Sequence, residues 1–474
     1  MAQVACPRIL ISGIGPGVGK SLISIGLVHE LRKRSISVSC CVVGPNLVQA
    51  SILKRLTGRY VRCLDGCILS SSQNLNSLSQ AASGADIVVI EGNAGLFDGY
   101  SAGTLRGSDA EIAGISRSPV ILVADVSNFG NSLIALIKGY AAFAKNFTVA
   151  GSILNRTATK NGIDDEGRPD LHDREFFEVA MQAFGMPKLI GALPVLPFEC
   201  DVPRYCLSER KNLSAISRQF FYRVGEVVNQ CIDVSAILSQ ASTPRPVESG
   251  ESMELPNRRR TRIAIADDSC FNLCFQDNLD LLRHFGAELV SFSPLADAKL
   301  PPRIGAVYLT GAYLSEYAEI LAQNQSLRNS IQEFVQQGGV LYAESGGAAF
   351  LCDQYEFPED DRSYPGVGVL PGIATFKPGR FSYQEVVSVD DSIFGDSGVI
   401  AKGVSTGEWE YSEGRKIVRV FRCSVDGRRT HQEGYSPSAQ SVATFSFLHF
   451  ASNPQLARSI VEAAEVVSGS SESP

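Results

Sequence analysis

Arg8-Ile-Leu-Ile-Ser-Gly-Ile-Gly-Pro-Gly-Val-Gly-Lys-Ser-Leu22 is the stretch on which the fold turns. Ile9, Leu10 and Ile11 predict a short buried strand. Gly13, Gly15, Gly17 and Gly19, with Val18 between the last two, predict a tight turn. Lys20-Ser21 opens a helix marked by Leu22, Ile23, Ile25, Leu27, Val28 and Leu31. A glycine-rich turn between strand and helix points backbone N–H groups inward and adds the positive end of the helix dipole, which suits phosphate. Lys20 would reach the outer phosphates of a nucleotide and Ser21 would ligate Mg²⁺. The usual G-x-x-x-x-G-K-[ST] spacing would put its first glycine at position 14, where Ile14 stands. Here it falls at Gly13, so the loop is a variant.

Outward from this loop, strands and helices alternate over residues 8–235. Val38-Ser-Cys-Cys-Val-Val-Gly-Pro reads as a strand, Ser51 to Leu56 as a helix and Val61 to Leu64 as a short strand. Asp86-Ile-Val-Val-Ile90 is a continuous apolar strand of the kind a parallel sheet buries on both faces. It runs into Glu91-Gly-Asn-Ala-Gly-Leu-Phe-Asp-Gly99, which offers Glu91 as a second Mg²⁺ ligand. Gly107-Ser-Asp-Ala-Glu-Ile-Ala starts another helix. Pro119 to Asp125 and Val149 to Asn155 are two more strands ending in polar residues, with Asn155 expected to contact the base. The alternation predicts a doubly wound, mostly parallel α/β sheet whose ligands bind beyond the strand carboxyl ends. Asn46, Glu91, Asp125 and Asn155 all fall at that edge; any of them is also a residue type that turns use.

Length and composition set the bounds. At 474 residues, two or three domains with full cores are expected. With 44% hydrophobic and 20% charged residues the chain is neither disordered nor fibrous, and a net charge of −7 argues against nucleic acid as a partner. No apolar run suits a membrane span, and the first residues lack the pattern of a signal peptide. Twelve cysteines without a C-x-x-C pair, and five scattered histidines, show no metal cluster; reduced buried thiols in a cytoplasmic protein are expected. Residues 236–261, polar, with prolines and an Arg258-Arg-Arg triplet, predict a linker, and 467–474 a flexible tail. A second α/β domain, 262–466, centres on Gly339-Val-Leu-Tyr-Ala-Glu-Ser-Gly-Gly-Ala-Ala-Phe350. A strand, a sharp turn at Ser345 and a helix make the pattern of a nucleophile elbow.

Taken together, Gly-Val-Gly-Lys-Ser21, Glu91-Gly-Asn-Ala-Gly-Leu-Phe-Asp-Gly99, Phe292-Ser-Pro-Leu-Ala-Asp297, Tyr342-Ala-Glu-Ser-Gly-Gly347 and Leu448-His-Phe-Ala-Ser-Asn-Pro454 resemble the cobyrinic acid a,c-diamide synthase family over residues 8–460. The resemblance implies a dethiobiotin-synthetase-like P-loop domain followed by a class I glutamine amidotransferase-like domain. It implies ATP and Mg²⁺ as cofactors, carboxylates of a corrin-type tetrapyrrole as substrate, amidation with ammonia from glutamine, and a homodimer. The chain departs from the family at several positions. Ser345 stands where the family has its glutaminase cysteine. Phe447 replaces the first histidine of a His-x-His pair, leaving His449. Serine is far harder to ionise than a thiol, so the glutaminase is expected to be degenerate. Asn46 and Gln49 replace two carboxylates after the second strand, Leu53 aligns with a histidine, and Gly407-Glu-Trp-Glu410 replaces a histidine-rich segment.

Three readings remain open at this level. The chain is an amide-forming ligase, with Lys20 and Glu91 catalytic and Asn46, Gln49 and Asp125 near its tetrapyrrole or other carboxylate substrate, fed by free ammonia or by a separate ammonia-supplying subunit. Alternatively it is a non-catalytic nucleotide-binding paralogue that serves as a partner subunit or regulator. The third is a shifted P-loop chemistry on a small acid.

Overall fold

The computed structural model describes residues 3–143, 145–157, 159–163, 169–196, 213–241, 247–248, 261–425 and 429–470. The chain divides into two compact units, Met1–Ser252 and Met253–Pro474.

The first unit alternates β1 (Arg8–Gly13), α1 (Lys20–Lys33), β2 (Val38–Val43), α2 (Leu47–Thr57), β3 (Arg62–Leu64), α3 (Ser71–Ala82), β4 (Ile87–Gly95), α4 (Asp109–Ser116), β5 (Val120–Asp125), α5 (Ser132–Phe143), β6 (Val149–Thr157), α6 (His172–Ala183), β7 (Leu189–Pro194), α7 (Leu213–Cys231) and α8 (Val234–Ala241). These seven strands form one sheet in the order β7-β6-β5-β1-β4-β2-β3, parallel at every pairing, while Gln3–Val4 with Val247–Glu248 and Thr159–Ile163 with Pro169–Leu171 form two separate two-stranded sheets. Residues of β1, β4 and β5 are buried almost without exception, as a sheet covered by helices on both faces demands. Strand β1 lies at the centre, between β4 and β5. That placement sets the glycine turn at the carboxyl edge beside Glu91, since Ile11 is in register with Glu91 and Gly13 with Gly95.

Several boundaries differ from the sequence expectation. Helix α2 begins at Leu47 rather than Ser51, because the Asn46 side chain caps it by accepting from the Gln49 N–H at 3.1 Å. Helix α3 is held by a capping box between Ser70 and Gln73. The expected linker does not start at 236. Val234, Ile237 and Ala241 bury one face of α8, and Asp233 accepts from the Ala236 N–H at its start. Residues 242–246 and 249–260, the arginine triplet among them, lie outside the described residues.

The second unit runs β8 (Thr261–Ala266), α9 (Gln276–His284), β9 (Ala287–Phe292), β10 (Ala306–Leu309), α10 (Leu314–Gln323), α11 (Gln325–Gln336), β11 (Val340–Glu344), α12 (Gly346–Leu351), β12 (Ser382–Ser388), β13 (Ile400–Ser405), β14 (Val418–Val425), β15 (Arg429–Ser436), β16 (Ser441–Thr444), β17 (Ser446–His449) and α13 (Gln455–Ser470). Its ten-stranded sheet has the order β9-β8-β10-β11-β16-β15-β14-β12-β13-β17. It is parallel from β9 to β16 and antiparallel beyond. Strands Cys352–Phe357, Arg362–Pro365, Leu370–Phe376 and Trp409–Glu413 form a separate four-stranded sheet. The expected tail is helical as far as Ser470. Val467 packs on the core and the Ser468 hydroxyl donates to Ala464 O, so α13 continues past the point where fraying was expected. Residues 471–474 lie outside the described residues.

Candidate functional site

The glycine turn closes tightly on itself. A Cβ built on Gly13 would lie 2.5 Å from Val18 Cγ2 and 3.0 Å from Gly15 O, so no larger residue fits there. Gly19 caps α1 at φ +96°, a conformation that a side chain would strain. Lys20 is buried, and its ammonium donates to Gly15 O at 3.2 Å. Burial pushes the Lys20 pKa down, while Asp109, Glu91 and Asp98 oppose the shift. Three carboxylates thus face one enclosed cation.

Glu91 is the centre of this cluster. Its Oε1 accepts from the Ser21 hydroxyl at 2.6 Å and its Oε2 from Gln49 Nε2 at 2.7 Å. Burial raises its pKa to about 7, although these hydrogen bonds and Lys20 pull the other way. A buried carboxylate beside a hydroxyl is a hard oxygen donor set that suits Mg²⁺. The Glu91-to-Gly99 segment folds against the glycine turn: Asp98 accepts from the Gly95 N–H at 2.8 Å, and a Cβ built on Gly95 would lie 3.2 Å from Gly15 Cα.

The remaining sequence-predicted residues act mostly on the turn itself. Asn155 is fully buried and its amide donates to Val18 O at 3.0 Å, which commits that N–H to the loop rather than to a base. Asp125 is paired with Arg156, whose guanidinium also donates to Gly17 O at 3.0 Å. Partial burial raises the Asp125 pKa, but hydrogen bonds from Ser127 and Arg156 outweigh it and hold the group below the usual carboxylate range. Asn46 caps α2, and in doing so aims Gln49 at Glu91.

Asp109 is the residue that sequence reasoning missed. It is buried at the start of α4, accepts from the Ser12 hydroxyl at 2.6 Å and from the Asn93 N–H at 2.9 Å, and burial raises its pKa to about 6. In sequence it reads only as a favourable acidic residue in a first helical turn. Its partner Ser12 is 97 positions away, so nothing local announces it. A cleft of about 1190 Å³, lined in part by Arg106, Arg117, Lys145, Phe97, Phe143 and Phe147, runs along α4 towards the amino ends of β5 and β6. Neither Lys20 nor Glu91 lines it.

In the second unit the elbow is formed. Ser345 sits at φ +48°, ψ −117° between β11 and α12, and its N–H donates to Thr444 O at 2.8 Å. A non-glycine residue there stores backbone strain of about 1–3 kcal/mol. The close fit of the turn requires the glycines after it: a Cβ on Gly347 would lie 2.5 Å from Thr310 O. Beneath the elbow, Glu344 accepts from Tyr308 and Tyr342 hydroxyls, each at 2.6 Å, and from the Leu448 N–H at 2.9 Å. That fixes β17 against β11. The Phe447 ring packs against Gly311, and the His449 ring is fully buried with its centroid 4.4 Å from that of Phe275. An aromatic ring therefore stands where the resemblance calls for a base.

Among the described residues no helix is long and apolar enough to cross a membrane. A family model described as a CobB/CobQ-like glutamine amidotransferase domain matches residues 262–455. The cobyrinate a,c-diamide synthase of Leptospira interrogans (strain 56601) is 31% identical over 472 residues, covering 97% of this chain and 99% of that protein. That of Syntrophotalea carbinolica is 32% identical over 480 residues, with coverages of 97% and 99%. That of Methanosarcina acetivorans is 31% identical over 489 residues, with coverages of 97% and 95%. With relatives at this identity matched over nearly their whole length, and an amidotransferase-like second unit, the chain belongs to the cobyrinate a,c-diamide synthase-like family.

Proposed function

We propose that the chain is an ATP- and Mg²⁺-dependent ligase that amidates side-chain carboxylates of a corrin-type tetrapyrrole, drawing its ammonia from outside the chain. The observation that carries this reading is the Ser21–Glu91 contact at 2.6 Å beside the enclosed Lys20. It is a hydroxyl–carboxylate pair at the one place where a P-loop enzyme needs its metal. Ser21 and Glu91 would hold Mg²⁺, which would supply charge neutralisation for the nucleotide phosphates. The glycine turn holds the phosphates by its N–H groups, and Lys20 stabilises the charge on the transferring phosphoryl group. A substrate carboxylate oxygen attacks the γ-phosphorus, ADP leaves, and an acyl phosphate forms. Ammonia then attacks the acyl carbon, loses a proton, and phosphate departs with the C–O bond.

The nitrogen source follows from the second unit. Ser345 keeps the elbow but has a hydroxyl in place of a thiol, and Phe447 offers no base. Glutamine therefore does not supply the ammonia in this reading. Ser345→Ala is expected to leave ammonium-dependent amidation within about twofold of the parent; a collapse of glutamine-dependent turnover in that variant would show the serine acting as a nucleophile.

One observation favours the non-catalytic paralogue: the Gln49 amide occupies the second oxygen of Glu91, where the family has a carboxylate in place of Gln49. The deciding experiment is ATP consumption by the purified protein with Mg²⁺ and a cobyrinic-type tetrapyrrole, with ammonium and glutamine compared and product mass read out. Turnover with ammonium and none with glutamine is the expected result. Equal turnover with glutamine overturns the assignment of the second unit. Nucleotide binding without turnover on either donor moves the reading to a binding subunit or regulator.

A further inference from the structure

Cys423, His431 and Glu433 are not among the residues of either site described above, although Glu433 bonds Thr444 beneath the elbow; the β14–β15 hairpin gathers them. Cys423 is directly opposite His431 in the antiparallel register, and Glu433 is two residues beyond His431 and so on the same face. Cys423 Sγ lies 3.5 Å from Glu433 Oε2, and His431 Nε2 lies 3.9 Å from the same oxygen. All three ligand atoms fall within 4.8 Å of one another.

We propose that these three side chains form a binding site for a borderline divalent cation of the Zn²⁺ type, closing the β14–β15 hairpin. Bond lengths of about 2.0–2.3 Å at tetrahedral angles put neighbouring ligand atoms about 3.3–3.7 Å apart. The Cys423–Glu433 separation already meets that; the His431–Glu433 separation of 3.9 Å and the Cys423–His431 separation, within 4.8 Å, close when the half-exposed imidazole rotates towards the other two. The ligand set is mixed S, N and O, which suits Zn²⁺ and not the oxygen-seeking Mg²⁺ of the nucleotide site.

Charge and second contacts agree with this. A thiolate and a carboxylate together cancel the two positive charges of the ion, so a partly buried site ends neutral. On binding, the Cys423 S–H bond breaks, the proton leaves to solvent and an S–metal bond forms; no electron is transferred. Glu433 is held in place mainly through its other oxygen. Its Oε1 accepts from Thr444 Oγ1 at 3.0 Å and from the Phe445 N–H at 2.6 Å, while the Ser446 hydroxyl, 3.0 Å from Oε2, also lies 2.7 Å from Gln384 Oε1, to which it can donate instead. Such contacts orient a ligating carboxylate. Cys423 and Glu433 are buried while His431 is exposed, which gives the ion an entry path and leaves its fourth position to water.

The test uses the full chain, stripped with a chelator and titrated with Co²⁺ as a spectroscopic stand-in for Zn²⁺. One equivalent is expected to bind with a thiolate-to-Co²⁺ charge-transfer band in the near ultraviolet, and added Zn²⁺ is expected to abolish it. The Mg²⁺-type site has only oxygen donors and cannot give that band. Cys423→Ser is expected to reduce the band strongly, and His431→Ala to weaken binding at least about tenfold. Because His431 is a surface side chain, its variant decides the matter even if the buried Cys423 substitution fails to fold. Absence of the band in the parent protein, or a band and affinity unchanged in His431→Ala, overturns the proposal.

Discussion

Lys20→Ala is expected to lower ATP turnover by about 10²–10³-fold, the cost of losing one preorganised electrostatic contact to a transition state. The geometry makes the expected loss this large. Lys20 is 6% exposed, donates to Gly15 O within the glycine turn, and faces Glu91, Asp98 and Asp109. Water cannot replace it easily in so closed a place. Alanine also leaves three carboxylates facing one another without their cation, so affinity for the nucleotide polyanion falls together with turnover. ADP release and calorimetric nucleotide binding check this, with circular dichroism as the control for folding. Unchanged affinity and turnover would remove the glycine turn from the mechanism.

Glu91→Gln is expected to move stability and activity in opposite directions. Burial raises Glu91 to about 7 in the folded chain, against a usual value near 4.5. Below the unfolded value both states carry the proton and the folded state keeps its full stability. As pH rises from the unfolded value to the folded one, the unfolded chain ionises freely while the folded one still holds its proton, so stability is lost across that window and the loss is complete once the buried group ionises. A rise of this size is worth about 3 kcal/mol once both states are ionised. Glutamine abolishes that loss and still bonds Ser21 and Gln49. Without metal or nucleotide, the variant is therefore expected to melt roughly 5–10 °C above the parent at pH 8 and together with it near pH 4. On the proposed function amidation is expected to fall at least about 10²-fold, because Mg²⁺ would lose its carboxylate ligand. With Mg²⁺ and nucleotide the parent recovers its stability and the variant does not. Parent and variant melting together at pH 8 would show that Glu91 carries no such strain.

How far the sequence discloses the site depends on how local each signal is. The glycine turn and Lys20-Ser21 are legible because strand, turn and helix are contiguous, and each glycine answers a backbone demand within a few residues. Glu91 is legible because an apolar run ends on it, although β4 continues to Gly95, where it pairs with Gly13. Asp109 is not legible: its partners Ser12 and Lys20 meet it only through the sheet order. Helix α3 hides in a run of serines, asparagines and glutamines, and its signal was the Ser70–Gln73 capping box rather than an apolar face. The trio of Cys423, His431 and Glu433 is likewise invisible as a motif, because a cross-strand register and not a spacing brings it together.

The central position of β1 also dictates an order of events during folding. Its two neighbours, β4 and β5, are made from residues 87–95 and 120–125. As the chain is synthesised, Ile9, Leu10 and Ile11 remain without strand partners until those later segments emerge. Contacts so distant in sequence form slowly and leave apolar strand edges open to other chains in the meantime. The same arrangement that places the glycine turn in mid-sheet thus leaves the apolar residues of β1 unpaired until β4 and β5 have been made, and chains ending before residue 125 are expected to aggregate more than the full chain.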